Sequence, residues 1–436
     1  MIEVKADTLA ALRGRTSEKW ITYPRDVLPL FVAEMDYPLA PVIQAVLIDR
    51  VRASDTGYVA SPLPVGDAFA GFAARRWNWQ VDPTGVRTTT DVSVGIVETL
   101  RRAIPPGAGV VITPPVYPPF FDMVAEAGGT VVEVPVLDEG TSYELDLEGI
   151  EAAFVAGAGA ILISNPHNPL GFVHSRESLE ALAELAARFE ATVVSDEVHA
   201  PLTHSTATFT PFLSVSDAAR EWGVTVTSAS KAFNLAGVKC ALMVAASERA
   251  LALLDGMSVE VGWRTSILGL HATVAAFARG DEWLDGTIAA IEANRQLLTH
   301  MLAIKLPGVW YREPQAGYLA WLDFRPLEWG DDPSIRALEA KVALNPGPSF
   351  GAQGRGFARL NFACAPEVLM EAIARLAGGG SLWEPGPRAL GAAAPSSGPV
   401  EPSAAPEPLA AAEPSAAPEP VTAPEPLAAP EPSQSR

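Results

Sequence analysis

Cysteine is almost absent from this chain: Cys240 and Cys364 are the only two among 436 residues. Neither a disulfide framework nor a cysteine-rich zinc site can be built from them, so both read as buried apolar fillers. Basic residues are outnumbered, 31 Lys and Arg against 51 Asp and Glu, for a formal net charge of −20. A surface this acidic repels phosphate backbones, which argues against nucleic acid as a partner. No apolar run is long enough to span a bilayer, and Met1 to Trp20 has no apolar core of signal-peptide length. The expectation is a soluble cytoplasmic protein without a membrane partner. A zinc-protease His-Glu-x-x-His run, a P-loop lysine motif and a dinucleotide fingerprint are all missing, and no metal site is expected.

What is present falls into two parts. Hydrophobic residues at 48% and charged ones at 19% are ordinary globular values, and the length suits two or three domains. From about residue 378 the composition changes. Glu401, Glu407, Glu413, Glu419, Glu425 and Glu431 recur every six residues, each followed by Pro, and 12 of the 39 prolines lie between Gly391 and Arg436. Such a segment lacks the apolar area to offset its ordering entropy, so it reads as an extended, disordered solubilising tail; a docking role for its prolines is the other reading. Before it, strand-like runs alternate with helical ones. Val110–Thr113, Ala160–Ser164, Thr192–Ser195 and Thr225–Thr227 are short and apolar or β-branched. Between the second and third, Ser175 caps a helix whose apolar face is Leu179, Leu182, Leu185, Ala186 and Phe189. This alternation indicates an α/β fold with a mostly parallel, doubly wound sheet, which binds ligands beyond the carboxyl ends of its strands.

The unusual residues sit at those ends. After AILIS comes Asn165-Pro166-His167-Asn168-Pro169-Leu170-Gly171, a turn able to aim an amide. After TVVS comes Asp196-Glu197-Val198-His199, and after TVT comes Ser228-Ala229-Ser230-Lys231, followed by Gly237 and Lys239. The set matches the needs of one cofactor. An aldehyde needs an amine for a Schiff base, open to Lys231. A pyridine ring acting as electron sink needs a carboxylate at its nitrogen, open to Asp196. A phenolate oxygen needs a donor such as Asn168. A phosphate needs hydroxyls, backbone N–H groups and a cation, which Ser228, Ser230 and Lys239 supply. Pyridoxal phosphate has all four features.

The segments NPHNPLG, SDEVH and SASKAFNLAGVK resemble those of fold-type I pyridoxal-phosphate enzymes of the class I/II aminotransferase family, and within it the cystathionine β-lyase or C–S lyase branch. PLFVAEMDYPLAP, TPPVYPPFF, EWLDGTIAAIEANR, GYLAWLDFR, ALNPGPSFG and FARLNFACAPEVL extend the likeness, in order, over roughly residues 15–377. The resemblance implies that Lys231 carries the cofactor and shuttles the Cα proton. It places Asp196 at the pyridine nitrogen, Asn168 at the ring oxygen and Tyr117 stacked on the ring. Ser228, Ser230 and Lys239 would hold the phosphate, with backbone groups of Gly95, Ile96 and Val97, and with Tyr58 of the partner subunit reaching in. Arg359 would clamp the substrate α-carboxylate, beside Asn168 and Tyr117. His199 stands where many aminotransferases have a tyrosine and is usual in the lyase branch. Lys239 replaces a common arginine. Trp263 and Arg264 fall in a stretch directed at the partner's site.

The same resemblance implies a homodimer with shared active sites and four segments. These are an N-terminal arm and part of the small domain (1–40), a large cofactor-binding domain (41–285), a C-terminal small α+β domain (286–377) and the tail (378–436). The implied activity is β-elimination from an S-substituted L-cysteine such as cystathionine, giving a thiol, pyruvate and ammonia. Transamination of an L-amino acid, processing of a cysteine conjugate in secondary metabolism and a non-catalytic sensor role are the alternatives. Gly347-Pro348-Ser349-Phe350-Gly351 matches G-x-S-x-G, but its surroundings read as loop rather than a strand–turn–helix elbow.

Overall fold

The computed structural model describes residues 2–378, so the proline-rich tail lies outside the described residues apart from Gly378. Seven short runs form one sheet: β1 (Val86–Thr89), β2 (Gly109–Ile112), β3 (Thr130–Glu133), β4 (Ala158–Ser164), β5 (Thr192–Asp196), β6 (Gly223–Thr227) and β7 (Ala241–Val244). Their order is β1-β7-β6-β5-β4-β2-β3, and every neighbouring pair is parallel except the two made by β7. The four strands expected from sequence are all there, with β4 and β6 starting two residues earlier and β5 running on through Asp196.

Successive strand residues point to opposite faces, and here both faces are apolar. Ile161 and Ile163 join one core with Val111 and Val193, whereas Ala160 and Leu162 join a second with Val110, Ile112 and Val194. Helices cover both faces. Four of the helices matter below: α1 (Glu18–Ile21), α2 (Val92–Ala103), α3 (Arg176–Phe189) and α4 (Asp281–Lys305). Leu179, Leu182, Ala183 and Ala186 of α3 enter the first core, and Ile96, Val97 and Leu100 of α2 the second. Ser175 caps α3 as expected, accepting from the Ser178 N–H, while Leu185 and Phe189 are only half-buried. Asn294 of α4 donates to the carbonyls of Phe362 and Cys364, which fixes the far end of the chain. Both cysteines are buried and unpaired. Among the described residues no helix is long and apolar enough to cross a membrane.

A smaller antiparallel sheet has the order β8-β9-β11-β10: β8 (Trp310–Tyr311), β9 (Leu319–Asp323), β10 (Asn345–Pro346) and β11 (Phe357–Asn361). Both chain ends build this region, because Leu28 and Pro29 pair in parallel with Val342 and Ala343. Beyond Pro29 the chain runs through Phe31–Tyr37 with no strand partner, yet much of it is buried. Buried carbonyls need donors, and side chains supply them. Arg359 donates to Phe31, Asn361 to Val32 and Glu34, Lys231 and Tyr318 to Ala33, and Asn234 to Met35 and Tyr37.

This arm is also pinned to α1 by a buried ion pair. Lys19 Nζ lies 2.8 Å from Asp36 Oδ1, with both side chains almost entirely removed from water, and donates to the Glu34 carbonyl at 3.0 Å. Removing one partner of such a pair strands the other charge in the interior. Lys19→Ala is therefore expected to lower stability by about 3 kcal/mol in urea denaturation. The double replacement Lys19→Ala with Asp36→Ala should lose less than Lys19→Ala alone; an equal or larger loss would contradict this account.

Candidate active site

Parallel strands end together, so the loops after β4, β5 and β6 meet at one edge. Ser164 is level with Asp196, and Asp196 with Val226. That register brings Asn168, Asp196, His199, Ser230 and Lys231 to one cavity of about 640 Å³, with Tyr117, Lys239 and Arg359 also on its walls. The remaining lining includes Asp91, Val92 and Ser93 at the start of α2, Phe31–Ala33 of the arm, Glu18 of α1, and Asn345, Pro346 and Ser349 beside the smaller sheet.

Tyr117, Asp196, His199, Lys231 and Arg359 are displaced from their ordinary behaviour, chiefly by burial. Desolvation lowers the Lys231 ammonium to about 8; the Arg359 charge adds to this, and Asp196, Glu34 and Glu18 oppose it. The Lys231 amine donates to the Ala33 carbonyl at 3.1 Å. Desolvation raises the Asp196 carboxyl to about 7, against a hydrogen bond from the Val198 N–H and the charge of Lys231. The other Asp196 oxygen has no hydrogen-bond partner among the described residues. His199 is driven down to about 3 by burial and by the charges of Lys231 and Arg359, so it is a neutral imidazole near pH 7. Burial also raises the Tyr117 phenol, which keeps it protonated.

Arg359 sits on β11 with Trp321 of β9 and Asn345 of β10 as its flanking partners. Burial lowers it only to about 10, so it stays a cation. Its guanidinium donates to Asn168 Oδ1 at 3.0 Å and to the Phe31 carbonyl at 3.1 Å, whereas its buried Nε–H has no partner. An unmet N–H on a buried fork is suited to an incoming carboxylate. Behind the cavity, Glu197 accepts from the Phe212 N–H, Ser195 and Asn165, which ties β4 to β5 just below Asp196 and Asn168.

Several expected residues lie elsewhere. Gly95, Ile96 and Val97 do not line the cavity, because Asp91 caps α2 by accepting from the Val94 N–H and places those three inside the helix. Gly95 serves packing: a Cβ there would stand 2.8 Å from Val226 of β6. The free N–H groups at this helix start belong to Val92 and Ser93. Ser228 is buried, with its hydroxyl donating to the Cys240 carbonyl at 2.7 Å and accepting from the Ser230 N–H, so it braces Ser230 instead of facing the cavity. Lys239 faces the cavity, paired with Asp91 at 3.1 Å. Tyr58 is 90% and Trp263 62% exposed, and neither lines this cavity. Ser349 lies in a 3₁₀ turn and is followed by a second such turn, which is no nucleophile elbow. The arm falls within the PLFVAEMDYPLAP likeness, but the side chains that hold it, and the places of Glu18 and Tyr318, were not anticipated: bonds to main-chain carbonyls leave no mark on the sequence.

A family model described as aminotransferase class I and II matches residues 45–376. The chain belongs to this family. Cystathionine beta-lyase of Corynebacterium glutamicum is 37% identical over 85% of this chain and 98% of its own length. Cystathionine beta-lyase PatB of Bacillus subtilis is 33% identical over 83% of this chain and 96% of its own. The crystal structure of a candidate PLP-dependent beta-cystathionase from Corynebacterium diphtheriae is 36% identical, with a TM-score of 0.82 over 86% of this chain and 98% of that one. The aminotransferase class I and II match includes every cavity residue except Glu18 and Phe31–Ala33, which precede it.

A carboxyl raised from 3.8 to about 7 binds more protons folded than unfolded between those values, so stability falls as pH rises through that window. Asp196→Asn is expected to stabilise the ligand-free chain at pH 8 by on the order of 2 kcal/mol, with the gain fading towards about pH 4. Urea midpoints measured at both pH values test this; no gain at pH 8 would contradict it.

Proposed function

We propose that this chain is a pyridoxal-phosphate-dependent β-lyase that cleaves S-substituted L-cysteines, L-cystathionine among them, to a thiol, pyruvate and ammonia. The donor set fits that cofactor. A carboxylate with one oxygen unpartnered, an amine with a lowered pKa, and a cation with helix-start N–H groups share one cavity. The observation that carries the reading is this set on a fold whose relatives at 33% and 37% identity are named cystathionine beta-lyases.

When bound, the cofactor supplies an aldehyde that captures amines and a protonated ring that stabilises negative charge at the substrate Cα. Lys231 provides the amine and, once released, takes the Cα proton; an amine near pKa 8 is partly free at neutral pH. Asp196 would hold the proton on the ring nitrogen, Asn168 and neutral His199 would serve the ring oxygen, and Tyr117 would pack against the ring. Ser230, Lys239 and the N–H groups of Val92 and Ser93 bind the phosphate. Arg359 receives the α-carboxylate, exchanging its contact with the Phe31 carbonyl and using its unmet Nε–H. With the carboxylate held and Lys231 at Cα, the Cα–H bond is broken in the orientation that expels the β-thiolate.

The homodimer and the division at residues 40, 285 and 377 belong to the same proposal. Val51, Tyr58, Val259 and Trp263 are large apolar side chains, each more than half exposed, as expected of a surface awaiting a second copy. Transamination is the second reading, favoured by the family description itself.

Purified protein loaded with pyridoxal phosphate and given L-cystathionine is expected to release pyruvate and thiol in equal amounts. Lys231→Ala should abolish this and remove the absorbance band of the lysine-bound cofactor. Conversion of added 2-oxo acids to amino acids, with neither pyruvate nor thiol formed, would replace the lyase by an aminotransferase.

A further inference from the structure

Six acidic or basic side chains other than histidine and tyrosine line the cavity, and five are already engaged. Asp91 pairs with Lys239, Asp196 accepts from the Val198 N–H, Lys231 donates to Ala33, and Arg359 donates to Asn168 and Phe31. The sixth is Glu18, an exposed residue whose carboxylate has no hydrogen-bond or ion-pair partner among the described residues. We propose that Glu18 is a specificity-determining residue, receiving an ammonium group carried on the substituent beyond the substrate's Cβ. The proposal rests on the orientation given above, with the α-carboxylate at Arg359 and Cα at Lys231.

Those two residues both contact the arm, at Phe31 and Ala33, so the amino-acid end of the substrate lies along that wall. Glu18 stands on the same side. Its neighbour Ser17 donates to the Glu34 side chain at 2.5 Å, and its other neighbour Lys19 donates to the Glu34 carbonyl and pairs with Asp36. The Glu18 charge raises the pKa of both Lys231 and Tyr117, which places it within electrostatic reach of the reacting end. Anchoring on both sides fixes the backbone at Glu18 before a ligand arrives, so less ordering entropy opposes its use. Phe31, Val32 and Pro346 also line the cavity, and apolar surroundings strengthen a charge contact. L-cystathionine carries an ammonium, together with a carboxylate, on its distal arm, whereas a simple S-alkylcysteine carries neither.

Two ligands without a leaving group at Cβ isolate binding from reaction: L-lysine, ending in an ammonium, and L-6-hydroxynorleucine, a chain of the same length ending in a hydroxyl. Each is titrated into the cofactor-loaded enzyme and followed by the cofactor's absorbance. The wild-type protein is expected to bind L-lysine roughly tenfold more tightly than L-6-hydroxynorleucine, and Glu18→Gln should bring the two dissociation constants together. Equal binding by the wild type, or a ratio unchanged in Glu18→Gln, would overturn the proposal. Failure of the β-lyase reading shows separately, as absence of thiol from L-cystathionine, and leaves the binding ratio readable.

Discussion

A buried stretch of chain with no strand beside it must still find donors for its carbonyl oxygens. Between Phe31 and Tyr37 those donors are side chains drawn from distant parts of the sequence: Lys19, Lys231, Asn234, Tyr318, Arg359 and Asn361. Two of them, Lys231 and Arg359, are the groups assigned to the Cα proton and the α-carboxylate. The arm therefore belongs to the fold and to the site at once. It joins β11 to the loop after β6, and it closes one wall of the cavity. The Lys19–Asp36 pair gives it a fixed seat, since burying two charges is tolerable only when they meet in good geometry.

The electrostatics of the cavity follow from the same closure. Burial raises Asp196 and lowers Lys231, His199 and Arg359, so the charged form of each is less favoured than in water. Such strain opposes folding and favours ligands that relieve it, as is usual where side chains are poised for chemistry. A cation placed opposite Asp196 and a carboxylate placed opposite Arg359 would each complement one of these groups. Glu197, below them, accepts three hydrogen bonds and keeps the strand ends in register.

The strand ends were legible in the sequence because their chemistry is local. NPHNP, SDEVH and SASK each follow an apolar run directly, and a parallel sheet then brings them together without further information. The helix after β1 shows where local reading slips. Asp91 ahead of an apolar pattern is an N-cap signal, and the cap puts Gly95, Ile96 and Val97 inside the helix and off the cavity wall. Ser228 shows another limit of local reading: a hydroxyl in a phosphate-like motif can also brace its neighbour, and here it donates to the Cys240 carbonyl. The arm is visible as the motif PLFVAEMDYPLAP, but the side chains that hold it and the place of Glu18 beside it carry no pattern. Their placement depends on contacts between residues up to about 330 positions apart, made mostly to backbone oxygens that every sequence possesses.

Anchoring through main-chain oxygens has an evolutionary consequence. Replacing Phe31 or Val32 would leave their carbonyls, and hence the bonds from Arg359 and Asn361, where they are. Both side chains line the cavity. The wall that meets the substrate can thus drift in shape and polarity while the frame behind it stays constant, so lineages sharing this scaffold are free to diverge in diet without first solving folding anew.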